Sequence, residues 1–182
     1  MKKIPELRTE RLILRGMTKA DFPVYAAVWQ EPEVVRFIGG KPRSEVESWQ
    51  RFLRGAGSWV IDGFGQWAIT GKADGRFLGQ VGFFNAMRGI GADFDAAPEA
   101  GWSLREAAQG QGYGREAAAA VHDWFDAQPF GGRSHAMIDI GHAVSFGLAK
   151  KLGYVPLRET EYEGDRVMLM VRQRVLGNPP AL

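Results

Sequence analysis

The sequence predicts an α+β protein in which helices cover the faces of a mixed sheet. Three observations lead there. Short runs with strand composition ("QWAIT", "RFLGQVGFF", "AGWSL", "SHAMIDI") are broken by glycine-rich turns. Apolar residues recur at helical spacing in other segments, most clearly Ala117, Ala120, Val121, Trp124 and Phe125. The two kinds of segment follow one another as strand, two helices, three strands, helix, strand, helix and two strands.

Taken in order, residues 11–15 ("RLILR") read as a short strand. "TKADFPVYAAVWQ" reads as a helix with Thr18 or Asp21 as N-cap. A second helix is expected over 44–54, where Val46, Trp49, Phe52 and Leu53 share a stripe and Ser44 with Glu47 forms a capping box; Gly55 and Gly57 should end it. "GKADG", with Asp74-Gly75, signals a tight hairpin turn between the next two strands. The acidic "GADFDAAPE" separates the second of these from a third strand. After the helix around 117–125 and the strand "SHAMIDI", "HAVSFGLAKKL" reads as a helix with lysines in its last turn and Gly153 as its C-cap. Strands near 155–162 and 166–171 then close the chain as a hairpin across "EGD".

Composition narrows the class. At 182 residues, with 45% hydrophobic and 24% charged residues, the chain suits one domain with its own core, expected over 1–176 and followed by a tail at 177–182. There is no cysteine, which excludes disulfides, thiolate metal sites and a cysteine nucleophile and fits a reducing cytoplasm. The start "MKKIPELRTERL" lacks the apolar run of a signal peptide, and no stretch reaches the ~20 apolar residues of a membrane span. A net charge of +2 is too small and too scattered to argue for a nucleic-acid partner, and none is expected. His122, His135 and His142 fit no ligand spacing, so no metal is expected.

The chemistry concentrates in "LREAAQGQGYGREAAAA", residues 104–120. Gly110, Gly112 and Gly114 stand between a strand and a helix N-terminus, where free backbone N–H groups and the helix dipole favour an anion and where glycine admits close approach. Gln109 can cap the loop or donate to a phosphate oxygen. A simple helix-entry turn has the same composition. Gly112 to Ala117 also fits the dinucleotide pattern G-x-G-x-x-A, with Asp139 closing the next strand, but seven residues, 105–111, intervene where that fold needs a tight turn. No Gly-Lys-Ser/Thr follows, which excludes a Walker loop.

"QGQGYG" also matches Q/R-x-x-G-x-G/A at Gln109, Gly112 and Gly114, the signature of the GNAT superfamily of acyl-CoA-dependent N-acetyltransferases. "TERLILRGMTKADFPVYAAVWQEPEVVRFIGG", "EAGWSLREAAQGQGYGREAA" and "HAVSFGLAKKLGYV" resemble, in the same order, blocks of the branch that includes ribosomal-protein N-terminal acetyltransferases. The resemblance spans about residues 9–171. It implies the GNAT fold, a central, mostly antiparallel mixed sheet of about six to seven strands flanked by about four helices, and acetyl transfer from acetyl-CoA to a primary amine, in a monomer or homodimer. It also implies that Trp102, Ser103, Leu104 and Arg105 form a splayed strand that holds the pantetheine arm. The loop of Gly110, Gln111, Gly112, Tyr113, Gly114 and Arg115 would take the pyrophosphate, with Gln109 beside it.

For catalysis, Glu99 at the head of that strand is the candidate base; a solvated acid is the plainer role. Ser145, at the serine of the family's N-x-x-S helix motif, is the candidate donor to the leaving thiolate, with Tyr154 in reserve. A helix-bonded serine and a core tyrosine are the plainer roles for these two. His142 replaces the motif's asparagine and can still hold a pantetheine amide. Trp29 and Phe37 are candidates for the acceptor pocket as well as for the core. Asp93, Asp95 and Glu99 suit a cationic amine or a solvated turn. Two other functions stay open at this stage, an acyl-CoA-binding module without turnover and an NAD(P)-dependent oxidoreductase.

Overall fold

The computed structural model describes residues 4–174; the tail expected at 177–182 lies outside them. The chain forms β1 (Leu7–Arg8), β2 (Leu12–Arg15), α1 (Phe22–Val28), α2 (Pro32–Val35), α3 (Glu45–Ile61), β3 (Gln66–Gly71), β4 (Phe77–Phe84) and α4 (Ala92–Asp95). It continues with β5 (Glu99–Leu104), α5 (Tyr113–Asp126), β6 (Arg133–Asp139), α6 (Ala143–Lys151), β7 (Val155–Tyr162) and β8 (Asp165–Gln173). The described residues give an eight-stranded sheet of order β1-β2-β3-β4-β5-β6-β8-β7. The strand beyond the expected number is the two-residue β1, too short to leave a periodic signal.

Three expectations change. Helix α3 runs past Gly55 and Gly57 to Ile61 and stops before Gly63, whose φ is +76°. A glycine inside a helix costs about 1 kcal/mol relative to alanine, which packing of Phe52 and Trp59 offsets. The capping box of Ser44 and Glu47 forms, but Val46 and Leu53 are exposed, so the buried stripe runs through Ser48, Phe52 and Ser58. The acidic segment is not an open turn, since α4 buries Phe94 beneath it against Val167 and Leu169.

Strand alternation puts Trp67 and Ile69 on one face and Ala68 on the other. The first face is covered by α5, whose Ala117, Ala118, Val121 and Phe125 are fully buried; the alanines let it approach until Phe125 stacks on Phe83 at 3.9 Å. The second face is covered by α1 and α3 through Tyr25, Trp29 and Phe52.

All neighbouring strands are antiparallel except β5 and β6, which α5 joins as a crossover. That pair is registered only at Glu99↔His135, whereas β4 and β5 stay in register from Gly79↔Leu104 to Phe84↔Glu99. Beyond Glu99 the sheet therefore parts along one edge of β5.

Below α5 lies a buried polar chain. His122 Nδ1 is 2.7 Å from the Ala118 carbonyl, which only accepts, so Nδ1 carries the proton; Nε2, 3.0 Å away, then accepts from Tyr154 Oη. Tyr154 Oη in turn lies 2.8 Å from Ser134 Oγ. Burial pushes the His122 pKa down from 6.5 to about 4. The unfolded chain therefore binds a proton that the native state refuses. This group's contribution is intact above pH 6.5 and should fall by about 3 kcal/mol as pH drops towards 4. Denaturant titrations across that window should show this slope in the wild type and lose it in His122→Gln; equal slopes would contradict it.

Candidate active site

The glycine loop joins β5 to α5, and its geometry follows from its glycines. Gly110 and Gly112 have φ of +73° and +80°, with Gly112 as the α5 N-cap. Side-chain-bearing residues reach that region only at a cost. A Cβ on Gly114 would come within 3.1 Å of Leu104 Cδ1, so the absence of a side chain lets the first turn of α5 close on the strand end. Gln109 Nε2 donates to the Leu104 carbonyl at 3.1 Å and Gln111 Nε2 to the Ala107 carbonyl at 2.8 Å; Gln109 thus braces the loop rather than reaching outward.

A further residue holds this loop. Arg11 donates through Nη1 to the Gln111 carbonyl at 3.0 Å and through Nε to Glu116 at 2.7 Å, and its guanidinium stacks 4.6 Å above the Tyr113 ring. Glu116 also accepts from Thr9 Oγ1 and the Arg11 N–H. Burial opposes its charge, but these bonds outweigh it and keep its carboxyl below the ordinary range. Nothing in the local pattern marks Arg11, because its partners lie about a hundred residues away.

Where β5 and β6 part, a cleft of about 320 Å³ opens, within the range of small-molecule sites. Glu99, Trp102, Ser103, His142, Ser145, Trp29 and Phe37 all line it. The structure thus gathers these expected site residues in one place. The glycine loop follows the opposite end of β5 from Glu99, about 17 Å away along an extended strand. Leu104 and Arg105 link the two regions.

Several of these side chains have defined partners. Glu99 is buried and takes two hydrogen bonds from Arg88, at 2.6 and 2.8 Å. Burial works against the Arg88 charge; its bonds to Glu99 prevail and raise its pKa. Ser145 Oγ accepts from the Trp102 indole N–H at 2.9 Å across the parting, so its own O–H remains available to donate. His142 caps no helix N–H; its ring stacks on Phe37 at 4.3 Å, and burial lowers its pKa against the opposing influence of Asp139. Gln80 Oε1 and Ser103 Oγ, cross-strand neighbours on the cleft wall, are buried with no hydrogen-bond partner among the described residues.

Other candidates are placed elsewhere. Tyr154 is in the core, its hydroxyl held by His122 and Ser134 and its pKa raised by burial, so it is not available to a leaving group in the cleft. Asp93 pairs with Arg158 at 2.7 Å, and Asp95 accepts from the N–H groups of Arg88, Ile90 and Gly91. Both acids shape the α4 turn rather than waiting for an amine. Among the described residues, no group of three or more His, Cys, Asp or Glu side chains could hold a metal ion, and no helix is long and apolar enough to cross a membrane.

The family model for the acetyltransferase (GNAT) domain matches residues 11–155. The chain belongs to the GNAT acetyltransferase family. With one parallel strand pair, its sheet is not the doubly wound parallel sheet of a dinucleotide-binding protein, and the G-x-G-x-x-A reading falls. This GNAT chain resembles a Bordetella pertussis protein described as a GNAT-family acetyltransferase, with 28% identity, a TM-score of 0.84, and coverage of 92% of this chain and 99% of that one. It is 29% identical to YkkB of Bacillus subtilis over 155 residues, 81% of this chain and 84% of YkkB. Its fold is also that of RimL, a ribosomal L7/L12 α-N-protein acetyltransferase solved in complex with coenzyme A, at a TM-score of 0.75 and 14% identity over 93% of this GNAT chain and 98% of RimL.

Proposed function

We propose that the protein transfers an acetyl group from acetyl-CoA to a primary amine by direct attack within a ternary complex. One observation carries the reading: a single strand, β5, leads from a glycine loop at a helix N-terminus to a cleft with a carboxylate at its far end. The residues present fit the coenzyme. The loop amides ahead of Arg115 suit a diphosphate, and the edge of β5 released from β6 suits the amides of a pantetheine arm, with Ser103 and Gln80 still lacking partners nearby. Acetyl-CoA supplies an activated thioester to that cleft.

The chain's own groups then divide the work. A main-chain N–H of β5 polarises the carbonyl oxygen. Glu99, fixed by Arg88 on two sides, retains lone pairs with which to take a proton from the amine, directly or through water. Ser145, oriented by Trp102, donates towards the departing sulfur. With no cysteine in the chain, there is no thiol to carry the acetyl group, which favours direct attack.

The test is steady release of thiol from acetyl-CoA in the presence of a panel of amines, beside thermal-shift measurements with coenzyme A. Amine-dependent release is expected. Stabilisation by coenzyme A without release for any amine would identify a binding module instead.

A further inference from the structure

We infer that the acceptor amine also carries an oxyanion, a carboxylate or a phosphate, which Arg43 and Arg51 grip beside Trp29 at the helical wall of the cleft. This rests on the acetyl-transfer reading and specifies the acceptor it takes. Arg43 stands just before α3, and Arg51 and Arg54 lie along it; all three line the cleft. The guanidinium carbons of Arg43 and Arg51 lie 5.4 and 4.6 Å from the centroid of the same Trp29 ring. That ring holds both planar forks in place.

What sets these arginines apart is their lack of a counter-ion. Of the half-buried arginines elsewhere, Arg15, Arg88, Arg158 and Arg172 each engage a carboxylate through two nitrogens, and Arg105 lies 3.9 Å from Glu31. Among the described residues, no carboxylate lies within ion-pair distance of Arg43, Arg51 or Arg54. Among the described residues, the Nε atoms of Arg43 and Arg51 are buried with no hydrogen-bond partner. Arg43 spends Nη2 on the Ile38 carbonyl. Burial, with the like charges of Arg43 and Arg54, pushes the Arg51 pKa down to about 10. Buried charge without a partner is costly, and a guanidinium fork meets its geometric match in a carboxylate or phosphate.

Apart from Arg88, which is paired with Glu99, the other charged residues of the lining are acids. Glu99, Asp139, Glu163 and Asp165 all border the cleft, from the sheet and the closing hairpin. A molecule with an ammonium and an oxyanion fits both walls at once. The coenzyme's own diphosphate belongs to the loop beyond the other end of β5, so the arginines are left to the acceptor.

The experiment compares matched pairs of amines: amino acids against their C-terminal amides, and phosphoethanolamine against ethanolamine. In wild-type protein the anionic member of at least one pair should have a kcat/KM at least about tenfold higher, about 1.4 kcal/mol. The pair that responds separates carboxylate from phosphate. Arg51→Met should abolish that preference with the KM for acetyl-CoA unchanged. Arg43→Met, placed outside the helix, serves if Arg51→Met melts early. Calorimetric titration of the coenzyme A complex with N-acetyl amino acids and with their amides reads the same discrimination without turnover. No preference in either assay overturns the inference, as does a rise confined to the acetyl-CoA KM. Charge-selective binding without thiol release would uphold the anion site while overturning acetyl transfer.

Discussion

Replacing Gly112 with glutamate is expected to raise the KM for acetyl-CoA about a hundredfold and the acceptor's KM by less than about threefold, a differential loss of about 2 kcal/mol. Gly112 is the N-cap of α5 at φ +80°, and its Cβ position faces only the tip of Arg11, at 3.3 Å. A glutamate there suffers the left-handed backbone, sets its carboxylate where a phosphate should lie, and competes for Arg11. Glu99 lies at the other end of β5, out of its reach. Initial-rate measurements with each substrate varied in turn check the outcome. Equal rises in both KM values would mean that the diphosphate sits elsewhere. A melting curve accompanies them, since part of the backbone cost falls on folding.

Glu99→Gln should lower kcat by about a hundred- to a thousandfold, the usual worth of a positioned base. It should also cost about 3 kcal/mol of stability, because Arg88 keeps its charge in a buried place and loses its carboxylate. One variant thus confounds chemistry with packing, and the pair Arg88→Met/Glu99→Gln separates them. With both charges gone, most of the stability should return while kcat stays low. Recovery of kcat together with stability would show that the carboxylate serves only to neutralise Arg88.

The sequence displayed the elements that hold the site better than the contacts within it. Glycines at 110, 112 and 114, followed by the stripe through Ala117, Val121 and Phe125, mark loop and helix together, because backbone freedom and helical period are local properties. The capping box at Ser44 is local in the same way. The end of α3 is not legible in the sequence, because glycine only weakens a helix and whether the helix goes on depends on what Phe52 and Trp59 pack against. Tyr154 could not be assigned from its position after a helix, since its environment is made by Ser134 and His122 from other elements. Arg88, Arg11 and the arginines around Trp29 look like solvated charges along the chain. They acquire meaning through long-range partners, or through having none.

The single register pair between β5 and β6 has a consequence for the life of the protein in the cell. The sheet is two leaves meeting at one stitch, backed by α5 and by the Trp102–Ser145 bond. A donor molecule laid between them would act as a rivet, adding about 2.7 kcal/mol of resistance to unfolding at a hundred times its dissociation constant. Heat tolerance would then rise and fall with the supply of activated acetyl groups, so that a starved cell would hold a frailer enzyme than a fed one.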